Sequence, residues 1–203
     1  MFDDLFRSLK DRWSAPLARW LAPHVHPDAI TLGALVAGLG TAVLIVFGWY
    51  RTAAAAWLFN RLLDGLDGSV ARVGGRGSDF GGYLDVVLDF VVYAAIPIAL
   101  VLRDPAPEVW WGALLLFAGF YVNAASWMML SAVLERRGEG AAARGEVTAV
   151  TMPGGVVAGT ETVLFYTSFL LWPAAVAPLF LAMALLVLLN VVLRLHWAWR
   201  HLR

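Results

Sequence analysis

The chain contains no cysteine. Disulfide bridges, thiolate nucleophiles and thiolate metal sites are therefore excluded. It has no net formal charge, with 15 Lys and Arg against 15 Asp and Glu. A nucleic-acid partner is not expected. Its start, Met-Phe-Asp-Asp-Leu-Phe-Arg, is acidic and no apolar stretch follows promptly, so a cleavable secretory leader is not expected either. There is no lipidation motif and no internal repeat of the kind that marks many transporters. His24, His26, His196 and His201 lack a ligand spacing with carboxylates and read as interfacial residues.

What the chain has in abundance is apolar sequence. Of its 203 residues, 61% are hydrophobic, and its mean hydropathy is +0.72. Soluble domains sit nearer to about 45–50% apolar. The expected fold class is all-α: a polytopic membrane protein forming a single membrane domain over residues 1–203. Phe2, Leu5, Phe6, Leu9, Trp13, Leu17, Trp20 and Leu21 recur at spacings of three and four, opposite Arg7, Lys10, Asp11, Arg12 and Arg19. This pattern predicts an amphipathic interfacial helix over 2–22. Pro23 and Pro27 break it. Six transmembrane helices are then expected within 29–198, near 29–49, 53–73, 80–101, 109–134, 155–172 and 177–198. The second holds Asn60, Arg61, Asp64, Asp67 and Arg72. It is assigned as a helix because irregular, lipid-exposed backbone is not tolerated at depth.

Placing the N-terminus in the cytoplasm puts 12 Lys and Arg inside (Arg7, Lys10, Arg12, Arg19, Arg72, Arg76, Arg136, Arg137, Arg144, Arg194, Arg200 and Arg203) and only Arg51 and Arg103 outside. An even number of spans leaves both termini in the cytoplasm. The 73–80 connection is then also cytoplasmic, so a charged, water-soluble substrate has access from that side.

Within this apolar frame stand four acids: Asp64, Asp67, Asp85 and Asp89. A carboxylate at the centre of a membrane helix costs about 2.5–3.5 kcal/mol on insertion scales. Four would cost on the order of 10 kcal/mol before their mutual repulsion is counted. One or two divalent cations are the cheapest way to neutralise them. Asp64 and Asp67 are three apart, and Asp85 and Asp89 are four apart, so each pair shares a helical face. Two such faces turned together make a cavity of hard oxygen donors, suited to Mg²⁺, Mn²⁺ or Ca²⁺ rather than zinc or copper. Gly65, Gly68, Gly81 and Gly82 leave room beside it, for a ligand or for tight helix packing. Arg72 adds a cation, completing the outline of a phosphate site. Asp89, the last and deepest of the acids, is the candidate general base.

The residues Asp64-x2-Asp67-Gly68-x2-Ala71-Arg72, then x8, then Gly81-x3-Asp85-x3-Asp89 match every fixed position of the signature of the CDP-alcohol phosphotransferases. The chain resembles this family in general layout too. The resemblance implies an enzyme of phospholipid biosynthesis that transfers a phosphatidyl group from a CDP-linked lipid, usually CDP-diacylglycerol, to a small alcohol, releasing CMP. It implies that Asp64, Asp67 and Asp85 hold Mg²⁺ (or Mn²⁺), with Asp89 near or on a second ion and taking the proton of the attacking hydroxyl. It further implies that Gly68, Ala71, Arg72 and Gly81 line the cytidine and its phosphates, and that the protein is a homodimer with its site open to the cytoplasm. Pro27-Asp-Ala-Ile-Thr31 resembles the segment that opens the family's first span. There Thr31 is a candidate nucleotide contact, although Asp28 as a helix N-cap explains the same text.

Asn60 is a candidate support for the metal cluster. Arg61 suits either pairing with a carboxylate or snorkelling. Glu161 is the sole acid of the fifth span and a candidate for the acceptor end of the site, as is Arg194 for a phosphorylated acceptor. Glu161, with the arginines mostly at the edges, tilts the expected acceptor toward a neutral or cationic alcohol. Two other functions use similar acids: a divalent-cation transporter and a Mg²⁺-dependent membrane prenyltransferase. Arg72 argues against a cation pathway, and the span count argues against the prenyltransferase.

Overall fold

In the computed structural model, residues 15–140 and 157–203 are described. Among them the structure is all-helical: α1 (Pro27–Val46), α2 (Tyr50–Gly74), α3 (Asp79–Arg103), α4 (Pro107–Arg136), α5 (Gly159–Leu171) and α6 (Val176–His201), with a 3₁₀ turn at Pro173–Ala175 before α6. Residues 15–21 are also helical. Most of the expected interfacial helix, and the Arg144 loop, lie outside the described residues.

Among the described residues, four segments are long and apolar enough to cross a membrane: Pro27–Val46, Asp79–Arg103, Pro107–Arg136 and Pro173–His201. Six had been expected. The second, α2, has the length (25 residues) but carries the charged residues of the motif. The fifth, α5, has only 13 residues.

The chain divides into two compact units. One comprises Met1–Ala106 and Val163–Ala175; the other comprises Pro107–Thr162 and Val176–Arg203. In the first unit, α1 packs against both α2 and α3. The buried positions of α1 are Pro27, Ile30, Thr31, Ala34, Gly38, Thr41 and Ile45, a single stripe at spacings of three and four. Gly38 lets α3 approach closely, since a Cβ there would collide with Val92. Ala18 and Ala22 pack with Ile30, Leu66 and Val70, which ties residues 15–22 to the base of α1 and α2.

The helix ends explain the local geometry. His26, not Asp28, caps α1: its Nδ1 accepts from the Asp28 N–H at 3.4 Å. Pro27 suits the first helical position because its missing N–H would be unsatisfied there anyway, and this moves the helix start ahead of Asp28. Gly75 closes α2 in the left-handed region (φ 60°), with the Arg76 N–H on the Ala71 carbonyl at 2.9 Å. Ser78 then opens α3 by accepting from the Gly81 N–H at 3.0 Å. Only residues 75–78 therefore connect the two aspartate-bearing helices. The last part of α5 joins this unit through Tyr166, whose hydroxyl donates to the Tyr93 carbonyl at 2.7 Å, and through Thr167, which accepts from Trp57 Nε1 at 3.2 Å.

In the second unit, α4 packs along α6. Gly112 faces the Ala177 carbonyl and the Phe180 Cβ, each 3.2 Å from where its own Cβ would stand. Asn190 ties Val157 to α6, donating to its carbonyl at 2.7 Å and accepting from its N–H at 3.2 Å.

Candidate active site

The helix spacing of the four aspartates puts three of them on one cavity. Asp64 from α2 and Asp85 and Asp89 from α3 line it together with Thr31, Ala34 and Leu35 from α1, Asn60 from α2, and Leu88 and Val92 from α3. Asp67, one turn further along α2, is buried and reaches the cavity-lining Thr31. Its Oδ2 accepts from the Thr31 hydroxyl at 2.7 Å, and its Oδ1 accepts from the Gly68 N–H. Thr31, a candidate nucleotide contact by sequence, thus bridges α1 to an acid of α2.

Arg61 enters this acidic site. Its Nη2 donates to Asp89 Oδ1 at 2.7 Å and its Nη1 to Asp89 Oδ2 at 3.3 Å, a two-pronged pairing. Nη1 also lies 3.7 Å from Asp64 Oδ2 and donates to the Tyr93 hydroxyl at 2.9 Å. Nε donates to Asn60 Oδ1 at 2.8 Å, and Asn60 in turn donates to the Ala34 carbonyl at 2.7 Å. The guanidinium carbon stands 4.7 Å from the Trp57 ring centroid and 5.1 Å from that of Tyr93. Of the two readings open for Arg61, pairing is the one the structure shows. Trp57 and Tyr93 went unnoticed in the sequence. The signal was present: each stands four residues from a charged member of the cluster, Trp57 before Arg61 and Tyr93 after Asp89.

Among the described residues, no three His, Cys, Asp or Glu side chains form a ready-made metal ligand set. The chemistry of the lining nevertheless fits a hard divalent cation, because its acids offer carboxylate oxygen only and come from two facing helices.

Further along α2, the exposed Arg72 donates from Nη2 to Ser69 Oγ at 3.2 Å, and Ser69 donates to the Gly65 carbonyl at 3.0 Å. A Cβ on Gly68 would stand 3.3 Å from Arg72 Nη1; one on Gly81 would stand 3.3 Å from Asp28 Oδ1. Both glycines therefore border charged groups, and Ala71 follows one turn on. In the second unit, Arg194 is buried and donates from Nη1 to Asn123 Oδ1 at 3.0 Å and Ser126 Oγ at 3.3 Å. Its Nε has no hydrogen-bond partner among the described residues. Glu161 accepts from the Ala158 N–H at 2.9 Å, closing the first turn of α5.

Residues 24–199 match the family model described as CDP-alcohol phosphatidyltransferase. The chain belongs to the CDP-alcohol phosphatidyltransferase family. It is an enzyme, a transferase of substituted phosphate groups that carries out phosphatidyl transfer in phospholipid synthesis. The motif resemblance is borne out. The chain is 35% identical to inner membrane protein YnjF of Escherichia coli (strain K12) over 152 residues, covering 75% of this chain and 72% of that protein. With four helices among the described residues long and apolar enough to cross a membrane, it is an integral membrane protein. Its fold is similar to the crystal structure of the phosphatidylinositol phosphate synthase of Mycobacterium tuberculosis with CDP-DAG bound, with a TM-score of 0.70 and 25% identity, covering 93% of this chain and 94% of that one. The same synthase in complex with manganese and citrate gives a TM-score of 0.69 at 25% identity, covering 92% and 88%.

Proposed function

We propose that this CDP-alcohol phosphatidyltransferase takes the phosphatidyl group from CDP-diacylglycerol and places it on a small alcohol, with two divalent cations held at Asp64, Asp67, Asp85 and Asp89. The observation that carries the reading is the meeting of Asp64, Asp85 and Asp89 on one cavity from two helices joined by four residues. Mg²⁺ or Mn²⁺, as two ions, neutralises the pyrophosphate and the departing CMP when bound. Gly68, Ala71, Arg72 and Gly81, with Thr31, receive the cytidine and its phosphates; the small residues admit the ligand, and Arg72 supplies a cation at the cavity's edge. Asp89 accepts the proton of the alcohol hydroxyl as that oxygen bonds to the phosphatidyl phosphorus and the bond to CMP breaks. Arg194, and Glu161 through the start of α5, serve the acceptor.

In this reading α2 and α5 also lie within the membrane. They complete six spans and one membrane domain, with the residue 2–22 segment at the surface. The Lys and Arg distribution supports cytoplasmic termini and a cytoplasmic opening. A homodimer is the assembly we propose. Arg61 and Arg72 beside the acids disfavour a cation pathway.

The test is CMP release by the purified protein in lipid discs, given CDP-diacylglycerol, Mg²⁺ or Mn²⁺ and a panel of phosphorylated, neutral and cationic alcohols. Release that requires an acceptor, stops with EDTA and returns with the ion supports the proposal. No CMP with any member of the panel refutes it.

A further inference from the structure

The four-aspartate reading explains why acids stand in this cavity. It does not explain why a guanidinium stands with them. Arg61 is no loosely placed surface charge. Its side chain is only 10% exposed, and every nitrogen of its fork is engaged: Nε by Asn60, Nη1 by Tyr93 and Asp89, and Nη2 by Asp89. Trp57 and Tyr93 present ring faces to it, and Tyr166 stacks on Trp57 at 5.1 Å between ring centroids. Asn60, which holds Nε, is itself fixed to the backbone of α1. The cation is thus built in from four helices, at the spot where both oxygens of Asp89 and one of Asp64 converge.

We propose that Arg61 is a tethered counter-ion of the metal site: a positioning residue that holds Asp89 and Asp64 while no divalent cation is bound, and competes with that cation for them. The proposal rests on the metal-site reading of the aspartates. Its physical content is a balance of like charges. A divalent ion drawn to Asp64 and Asp89 is repelled by a guanidinium a few ångströms away. It must also share Asp89, whose oxygens both accept from Arg61. The fixed charge therefore weakens cation binding. In return it keeps the acids paired in the cation-free protein, where they would otherwise repel one another inside an apolar bundle. A merely structural arginine predicts the opposite: its removal would damage the site and weaken metal binding.

The experiment compares wild type with Arg61→Met, Arg61→Lys and Tyr93→Phe, each purified in lipid discs. Free Mn²⁺ is followed by its paramagnetic resonance signal, and thermal unfolding is followed in EDTA and in saturating Mn²⁺. Removing a unit charge this close to a divalent ion is expected to tighten Mn²⁺ binding about tenfold or more in the methionine variant. That variant should also show a larger rise in Tm from EDTA to Mn²⁺ than wild type, because its cation-free acids have lost their partner. The lysine variant should return toward wild type on both measures. Tyr93→Phe removes one tether and keeps the charge, so it gives a smaller tightening in the same direction. It carries the comparison if the methionine variant does not fold.

Unchanged or weaker Mn²⁺ binding in the folded variants overturns the proposal. If wild type itself binds no Mn²⁺, the metal-site reading fails first, and that result is visible before any variant is made.

Discussion

Gly38 offers the sharpest test of how the helices that carry the site are spaced. A Cβ added there would lie 2.7 Å from one Val92 methyl carbon, closer still to the other, and 3.1 Å from the Val92 Cβ. Val92 is 1% exposed and branched at Cβ, so it cannot swing aside cheaply. Gly38→Ala must therefore push α1 and α3 apart, at an overpacking cost of about 1–3 kcal/mol. The same substitution gains up to about 1 kcal/mol of helix propensity. Gly40, on the same helix, isolates that gain, since nothing stands within 4 Å of its would-be Cβ. The quantity to measure is the difference between Gly38→Ala and Gly40→Ala in thermal unfolding. It should come to roughly 1–3 kcal/mol, or on the order of 2–12 °C for a domain of this size. Val92 lines the cavity with Asp89, so CMP release should fall in the first variant and hold in the second. Val92→Ala is destabilising alone, yet combined with Gly38→Ala it should restore stability, a coupling of opposite sign to either single change. Equal stability of the two alanine variants, or additive effects in the double variant, would refute the close-approach argument.

Asp89→Asn should lower CMP release by about 10²–10⁴-fold while CDP-diacylglycerol still binds; wild-type turnover would remove Asp89 from the base role. Thr31→Val keeps the shape of the side chain but deletes the hydroxyl that bonds Asp67. Hydrogen bonds to charged groups contribute about 1.5–3 kcal/mol, so thermal unfolding in EDTA should show a loss of that order; an unmoved transition would remove the Thr31–Asp67 bond from what holds α1 on α2. Glu161→Ala should lower stability by about 1 kcal/mol through the lost helix-start bond and raise KM for the acceptor but not for CDP-diacylglycerol. If the acceptor KM stays put, Glu161 has no part in acceptor binding.

The acidic centre was the most legible part of the chain, because carboxylates three and four apart on helices declare a shared face and their expense in an apolar run demands an explanation. The sequence pattern also anticipated α1, α3, α4 and α6, whose apolar length is their signal. Less was readable where a signal has two meanings. Asp28 looked like a cap until Pro27 set the helix start a residue earlier and left His26 to do it. Glu161 stood out as a lone acid, but three residues after Ala158 is also where a carboxylate can reach back to the start of its helix. Gly38 carried no signal, because a glycine in an apolar run looks the same whether or not a neighbour presses against it. The aromatic enclosure of Arg61 was hidden for a similar reason: Trp57, Tyr93 and Tyr166 resemble any bulky membrane residues until three helices bring them together.

The tight turn at residues 75–78 has an effect on how this enzyme is made. All four acids and Arg61 sit on two helices joined by four residues, so in the proposed six-span reading they would enter the lipid together, with the compensating arginine beside them. In that reading the acids would not wait for the later helices before meeting a counter-charge, since the Arg61 guanidinium pairs with Asp89 from the neighbouring helix.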